Sequence, residues 1–234
     1  MHTRLLRLLS RTIFFLGVTI GLVLSGIAIW NNLESTSYFF TGVKYAPFNG
    51  LRCPLMIAPT EKGIVTVVFN NPANEGDNFF YRAEISGKSF SRRQVKDQIA
   101  VSPHQTKTIQ LAVDANDVDL MFFIFTKITI LPNSVRPSRE AVCGVMLVNI
   151  LGLTGTQIST IAVLLSFSGI AIGLGLWQQA SAKADQDMRR VVQTLGFVVL
   201  LTMFTASLSW WVIAIALLVI AILLMVISLR LAIA

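Results

Sequence analysis

Four stretches of this chain are apolar and free of charge. Between the first and the second lies a segment whose apolar residues come in short runs separated by turn formers. Residues 12–30, TIFFLGVTIGLVLSGIAIW, give 19 positions without a charge. At about 1.5 Å of rise per residue, a helix of that length matches a hydrocarbon core of about 30 Å. Comparable runs cover 157–177, 191–208 and 211–229. In lipid each backbone polar group must pair within its own segment, so each run predicts a transmembrane α-helix. Ser209, Trp210 and Trp211 sit at the break between the last two runs, which predicts a tight helical hairpin with Trp at the water interface. The stretch 145–156 is apolar too, but Asn149, Gly152 and Gly155 interrupt it. It reads as the tail of a strand, as an interfacial turn or as part of the second helix.

From residue 31 onward the period changes. GIVTVVF (63–69), FFYRAEI (79–85), VKDQIAV (95–101), TKTIQLAV (106–113), LMFFIFTKITI (120–130) and AVCGVMLV (141–148) are rich in β-branched and aromatic residues, with Pro, Asn, Asp and Gly between them. Short runs at such spacing predict an all-β antiparallel sandwich over 31–148. The run at 120–130 is too short to span a bilayer and contains Lys127, so it predicts a strand buried on both faces. VVFNNP (67–72), where a strand meets an Asn-Pro turn, and VSPHQTKTIQLAV (101–113), where a Pro-containing turn leads into an alternating strand, resemble the immunoglobulin-like modules of bacterial surface and membrane proteins. The resemblance covers about 63–148. It implies a fold and no particular activity.

Charge supplies the orientation. Only 13% of residues are charged, where soluble domains carry about a quarter, and the net charge is +7. Residues 31–143 hold twelve basic and ten acidic side chains, so most of the excess lies beside the apolar runs. Arg4, Arg7 and Arg11 precede the first run. Lys183, Arg189 and Arg190 stand in the 178–190 loop, and Arg230 ends the fourth run. The positive-inside rule then predicts cytoplasmic termini and a cytoplasmic 178–190 loop, with 31–148 outside a plasma (inner) membrane. The basic 1–11 segment and the run after it also fit a signal peptide. The run exceeds the usual apolar region of a leader and no clean A-x-A site follows, so a retained anchor is expected. Charge placed this way makes nucleic acid an unsuitable partner. No N-x-S/T sequon occurs, which is compatible with a prokaryotic source.

Cys53 and Cys143 are the two cysteines, and both fall outside in this topology. An even count in an oxidising compartment predicts a disulfide, with two buried thiols as the alternative. Gly17, Gly21 and Ser25 recur every fourth position in the first run, as do Gly169 and Gly173 in the second. Small residues at that spacing let two helices approach closely in lipid.

Catalytic chemistry is not in sight. His2 and His104 lack partners at metal-ligand spacing, and no Gly-rich phosphate loop or G-x-S-x-G occurs. Asp114, Asn116, Asp117 and Asp119 resemble a Ca²⁺ loop only in part, lacking its Gly and distal Glu, and a solvated turn is the plainer reading. Lys88, Arg92, Arg93 and Lys96 form a basic patch, read as a solvated face or a docking point for an acidic partner. The four runs contain no Asp, Glu, Lys, Arg or His, the residues that mark ion pathways. The expectation is a non-catalytic membrane protein without cofactor or metal, an accessory, scaffolding or assembly subunit whose partners are the bilayer and other membrane subunits. A ligand-binding sensor is the alternative, although 178–190 offers no output domain. A transporter component is the third reading.

Overall fold

The computed structural model describes residues 2–40, 45–132, 137–150, 152–180, 186–208 and 210–233. The chain divides into two compact units, Met1–Trp30 with Ser159–Ala234, and Asn31–Ile158.

The first unit is helical. It contains most of α1 (His2–Tyr38) and of α2 (Gly155–Ala180), together with α3 (Gln186–Ser207) and α4 (Trp211–Ile233). Among the described residues these four helices are long and apolar enough to cross a membrane. Many of their hydroxyls bond within their own helix. Thr12, Thr19 and Ser25 donate to the carbonyls of Leu8, Phe15 and Gly21 one turn back, and Thr202, Thr205 and Ser228 do the same in α3 and α4. Phe14, Val18, Ile170, Trp177, Val192, Leu195, Val199 and Ala221 fill the interior, and Ile29, Ala206 and Ala214 close a second cluster. Trp210 and Trp211 are exposed beside the α3–α4 turn, while Ser209 lies outside the described residues.

The second unit is built on two sheets. The larger has the order β1 (Ala46–Pro47), β9 (Arg139–Leu147), β8 (Phe123–Ile130), β5 (Asp77–Gly87), β6 (Ser91–Val101), with β3 (Met56–Ile57) also on β9. The smaller has the order β2 (Leu51–Arg52), β4 (Gly63–Asn70), β7 (Thr106–Val113). Their inner faces meet in two clusters. One joins Val67 and Phe69 to Phe79, Tyr81 and Ile128, and the other joins Val65 and Val113 to Ile85, Ile124 and Val145. Every residue of β8 is buried.

Three features depart from the sequence reading, and one stretch it left open is resolved. Purely antiparallel pairing was expected, yet β1 and β3 pair parallel with β9, so the larger sheet is mixed. These short strands flank Pro47 and Pro54, and runs of two residues carry no readable period. The first helix passes Trp30 and ends at Tyr38, because residues 31–38 hold no Gly or Pro and have partners on the sheet. Asn31 Nδ2 donates to Leu55 O at 3.0 Å, and Phe39 packs with Phe123 and Phe125. The 120–130 run splits into a turn at 120–122 and β8. Last, the open stretch 145–156 divides as the end of β9, a turn with Gly152 at φ +70°, and the start of α2. There Thr154 and Gln157 form a reciprocal cap. Gln157 N donates to Thr154 Oγ1, and Thr154 N donates to Gln157 Oε1.

Candidate functional site

The small residues singled out by spacing meet within the helical unit. A Cβ built on Gly17 would lie 2.7 Å from Ile170 N and 2.9 Å from the Gly169 carbonyl carbon. One on Gly169 would lie 2.9 Å from Gly17 Cα, and one on Gly173 would lie 2.6 Å from Phe14 Cβ. Gly21 faces Ser166 Oγ, Val199 and Met203. Ser166 Oγ donates to Gly17 O at 2.9 Å, and Ser25 is buried with its hydroxyl on Gly21 O. The Gly17/Gly169/Gly173 contact therefore joins α1 to α2 inside one chain. Many bulky apolar side chains of α2 and α4 point outward, among them Leu164, Phe167 and Ile172, and Val212, Leu223 and Val226.

The basic residues fall at helix ends. Arg4, Arg7 and Arg11 lie in the first turns of α1, and Arg11 sits over the Trp177 ring at 5.3 Å. Arg189 and Arg190 lie near the start of α3 with Arg190 exposed, and exposed Arg230 is in the last turn of α4. Lys183 lies outside the described residues.

Cys53, between β2 and β3, forms a disulfide with Cys143 on β9, with Cα atoms 6.4 Å apart. The bond lies in the core formed by Ile57, Val65, Ile85, Val113, Ile124 and Val145, and it ties the segment after the smaller sheet's edge strand to the larger sheet.

The acidic residues at 114–119 are structural rather than a solvated turn. Asp114 caps the short turn at 115–117, accepting from Asn116 N while Asp117 Oδ2 takes the Asp114 N–H. Asp117 also pairs with Arg93 at 3.1 Å. Asp119 Oδ2 accepts from the Tyr38 hydroxyl at 2.9 Å and from Phe90 N at 3.0 Å, while Oδ1 accepts from Leu120 N. Asp114 and Asp117 thus share one cap, and Asp119 holds a separate set of partners.

The expected basic patch does not gather on one face, because neighbouring strand residues point to opposite sides. Arg93 goes to Asp117 and Ala112 O. Arg92 instead lies over the rings of Tyr38 and Phe39 at 5.1 and 5.0 Å and approaches Glu84 at 3.8 Å. Glu84 also meets Arg82 at 3.2 Å and Gln94. One strand further, Lys127, only 4% exposed, pairs with Glu140 at 2.8 Å. These groups form a ladder of paired charges across the sheet's outer face. His104 is bonded to Asn74 in a turn.

Two buried polar residues escaped the sequence reading. Asn71, from the VVFNNP motif, donates to the carbonyls of Glu75, Val101 and Ser102 and so ties two loops together. Its Asn-Pro context signalled a turn but not this partner set. Tyr81 is buried opposite Asp97, and its phenol is pushed above its ordinary range, first by burial and then by the Asp97 charge.

Comparison with known proteins adds little. No family model matches the chain, and no curated protein matches it. Among solved structures, a Bacteroides uniformis β-glucuronidase aligns over 42% of this chain and 12% of its own, at 10% identity and a TM-score of 0.31. A Paenibacillus sp. cycloisomaltooligosaccharide glucanotransferase aligns over 45% and 14%, at 9% identity and a TM-score of 0.34. This chain thus spans about an eighth of those proteins, and similarity at that level carries no argument about activity.

Proposed function

We propose that this chain is a non-catalytic, multi-pass membrane protein that acts as an accessory, scaffolding or assembly subunit of a larger membrane complex. In this reading α1 to α4 span a plasma membrane with both termini cytoplasmic, and the β-unit stands outside as an immunoglobulin-like sandwich. The orientation is supported by the basic residues bordering the spans, and the sandwich reading by two facing sheets whose long strands all pair antiparallel.

The observation that carries the functional reading is the filling of the helical interior. Phe14, Leu195, Val18 and Val199 are wholly buried there, and the buried hydroxyls bond to carbonyls. A transport path through this unit would need polar or ionisable groups lining it. Packing of this kind leaves the outer apolar faces of α2 and α4 as the surfaces for lipid or partner helices. Purification from native membranes in mild detergent, followed by native mass measurement, tests the proposal. Stoichiometric foreign subunits are expected. A lone chain, or one that carries a small ligand and no partner, would overturn it.

A further inference from the structure

Two turns at one end of the β-unit hold bulky apolar residues in a backbone conformation that such residues rarely adopt. In the β5–β6 turn, Ser89 and Phe90 both have φ of 60°. In the turn before β8, Leu120 and Met121 have φ of 44° and 71°. Left-handed backbone costs about 1–2 kcal/mol per residue without glycine, and such strain persists where the surroundings enforce it. Here the enforcing group is Asp119, 8% exposed, whose carboxylate receives the N–H groups of Phe90 and Leu120 and the Tyr38 hydroxyl. What the strain presents is hydrophobic: Met121 is 91% exposed and Phe90 68%, and Leu120 and Phe122 are exposed beside them.

Chain geometry says what lies below this rim. The uncharged part of α1 runs from Thr12 to Leu33 and ends at Glu34. Tyr38 follows four residues later, about 6 Å further along the helix axis. The headgroup layer on each side of a bilayer is about 5–7 Å deep. The other chain segment leading to the membrane leaves from the same end of the unit. Phe122 O accepts from Leu147 N, Val148 N donates to Ile57 O, and the backbone of Met56 and Ile57 presses on Gly155, the first residue of α2. Two strand spacings, on the order of 10 Å, therefore separate the 120–122 turn from the start of a spanning segment.

We propose that Leu120, Met121 and Phe122, with Phe90 beside them, form a lipid-contacting rim that rests in the headgroup layer of the outer leaflet. Apolar side chains on such a rim gain by leaving water at the interface. Asp119 acts as a positioning residue that holds both turns at the height of Tyr38. The inference rests on the proposal that α1 and α2 span a bilayer.

Spin labelling of the full chain in phosphatidylcholine liposomes tests it, because the native cysteines are paired and a substituted cysteine can be labelled alone. Met121→Cys is read against Leu164→Cys on the outer face of α2 and His104→Cys in an exposed turn. At Leu164 collisions with oxygen are expected to exceed those with a water-soluble nickel complex, with the order reversed at His104 and the ratio at Met121 lying between the two. A Met121 label that behaves like His104 while Leu164 stays in lipid overturns the rim and leaves the membrane reading standing. Water-like behaviour at both sites overturns both. Label–label broadening at Met121 would show a second copy on the patch and would also overturn the rim.

Discussion

Gly173 provides the sharpest test of the helical packing. Replacing it with Ala adds a Cβ 2.6 Å from Phe14 Cβ and 2.7 Å from Phe14 Cα and N. Carbon atoms rest at about 3.5–4.0 Å, and no rotamer change can move backbone, so α1 must retreat by about 1 Å. Phe14 is fully buried against Ile170, Trp177, Val192 and Leu195, so the retreat opens the main interior cluster. Overpacking of this kind costs about 1–3 kcal/mol. The intrinsic helix preference of Ala over Gly offsets up to about 1 kcal/mol of that. Gly173→Ala is therefore expected to destabilise by up to about 2 kcal/mol, with Gly173→Ile well beyond. Gly175 is the control: the same Cβ there meets nothing within 4 Å, so Gly175→Ala is expected to be neutral or mildly stabilising. Thermal unfolding of the full chain in mild detergent, followed by far-ultraviolet circular dichroism, reads both. Equal unfolding temperatures for Gly173→Ile and Gly175→Ala would refute the α1–α2 contact.

Three further outcomes follow from the β-unit. Converting Cys53 and Cys143 together to Ala is expected to lower its stability by up to about 4–5 kcal/mol, read by urea unfolding, and two free thiols in the native protein's intact mass would refute the bond. Glu61 Oε2 receives the N–H groups of Ala58 and Gly155 at 3.0 and 2.7 Å, so Glu61→Ala should cost about 1–3 kcal/mol and speed amide exchange at Gly155; unchanged exchange would refute this tie. Tyr81's raised pKa favours the neutral phenol in the fold, so its contribution is intact below the ordinary value of about 10 and is lost as pH rises through the raised one. Alkaline titration of the tyrosinate absorbance should show a component above the ordinary range that is missing in Tyr81→Phe; an unchanged titration curve would refute the shift.

The sequence carried the helices because a run long and apolar enough to cross a bilayer can satisfy its backbone there only within itself, so charge-free length alone reveals them. It carried the long strands where side chains alternate, as in β4 and β7. Polar Arg92, Arg93 and Gln94 hid the first part of β6, whose ladder with β5 is set by backbone pairing rather than by burial. The α1 extension to Tyr38 was invisible because its partners, Leu55, Asp119 and Phe125, are distant in sequence. The start of α2 was within reach: Thr154 and Gln157 have the spacing of a reciprocal helix cap. Glycine spacing pointed to close contact but not to its partner, and Gly17 and Gly169 meet within the chain. Of the rim at 120–122, the sequence showed apolar character and nothing of the strained turn, which Asp119 imposes from outside the run.

The arrangement of the β-unit outside and the connection from α2 to α3 inside is tested most directly by cysteine accessibility in intact cells. With the native pair joined, a membrane-impermeant maleimide should label His104→Cys at once and Arg190→Cys only after permeabilisation. Immediate labelling of Arg190→Cys with His104→Cys protected would contradict the account.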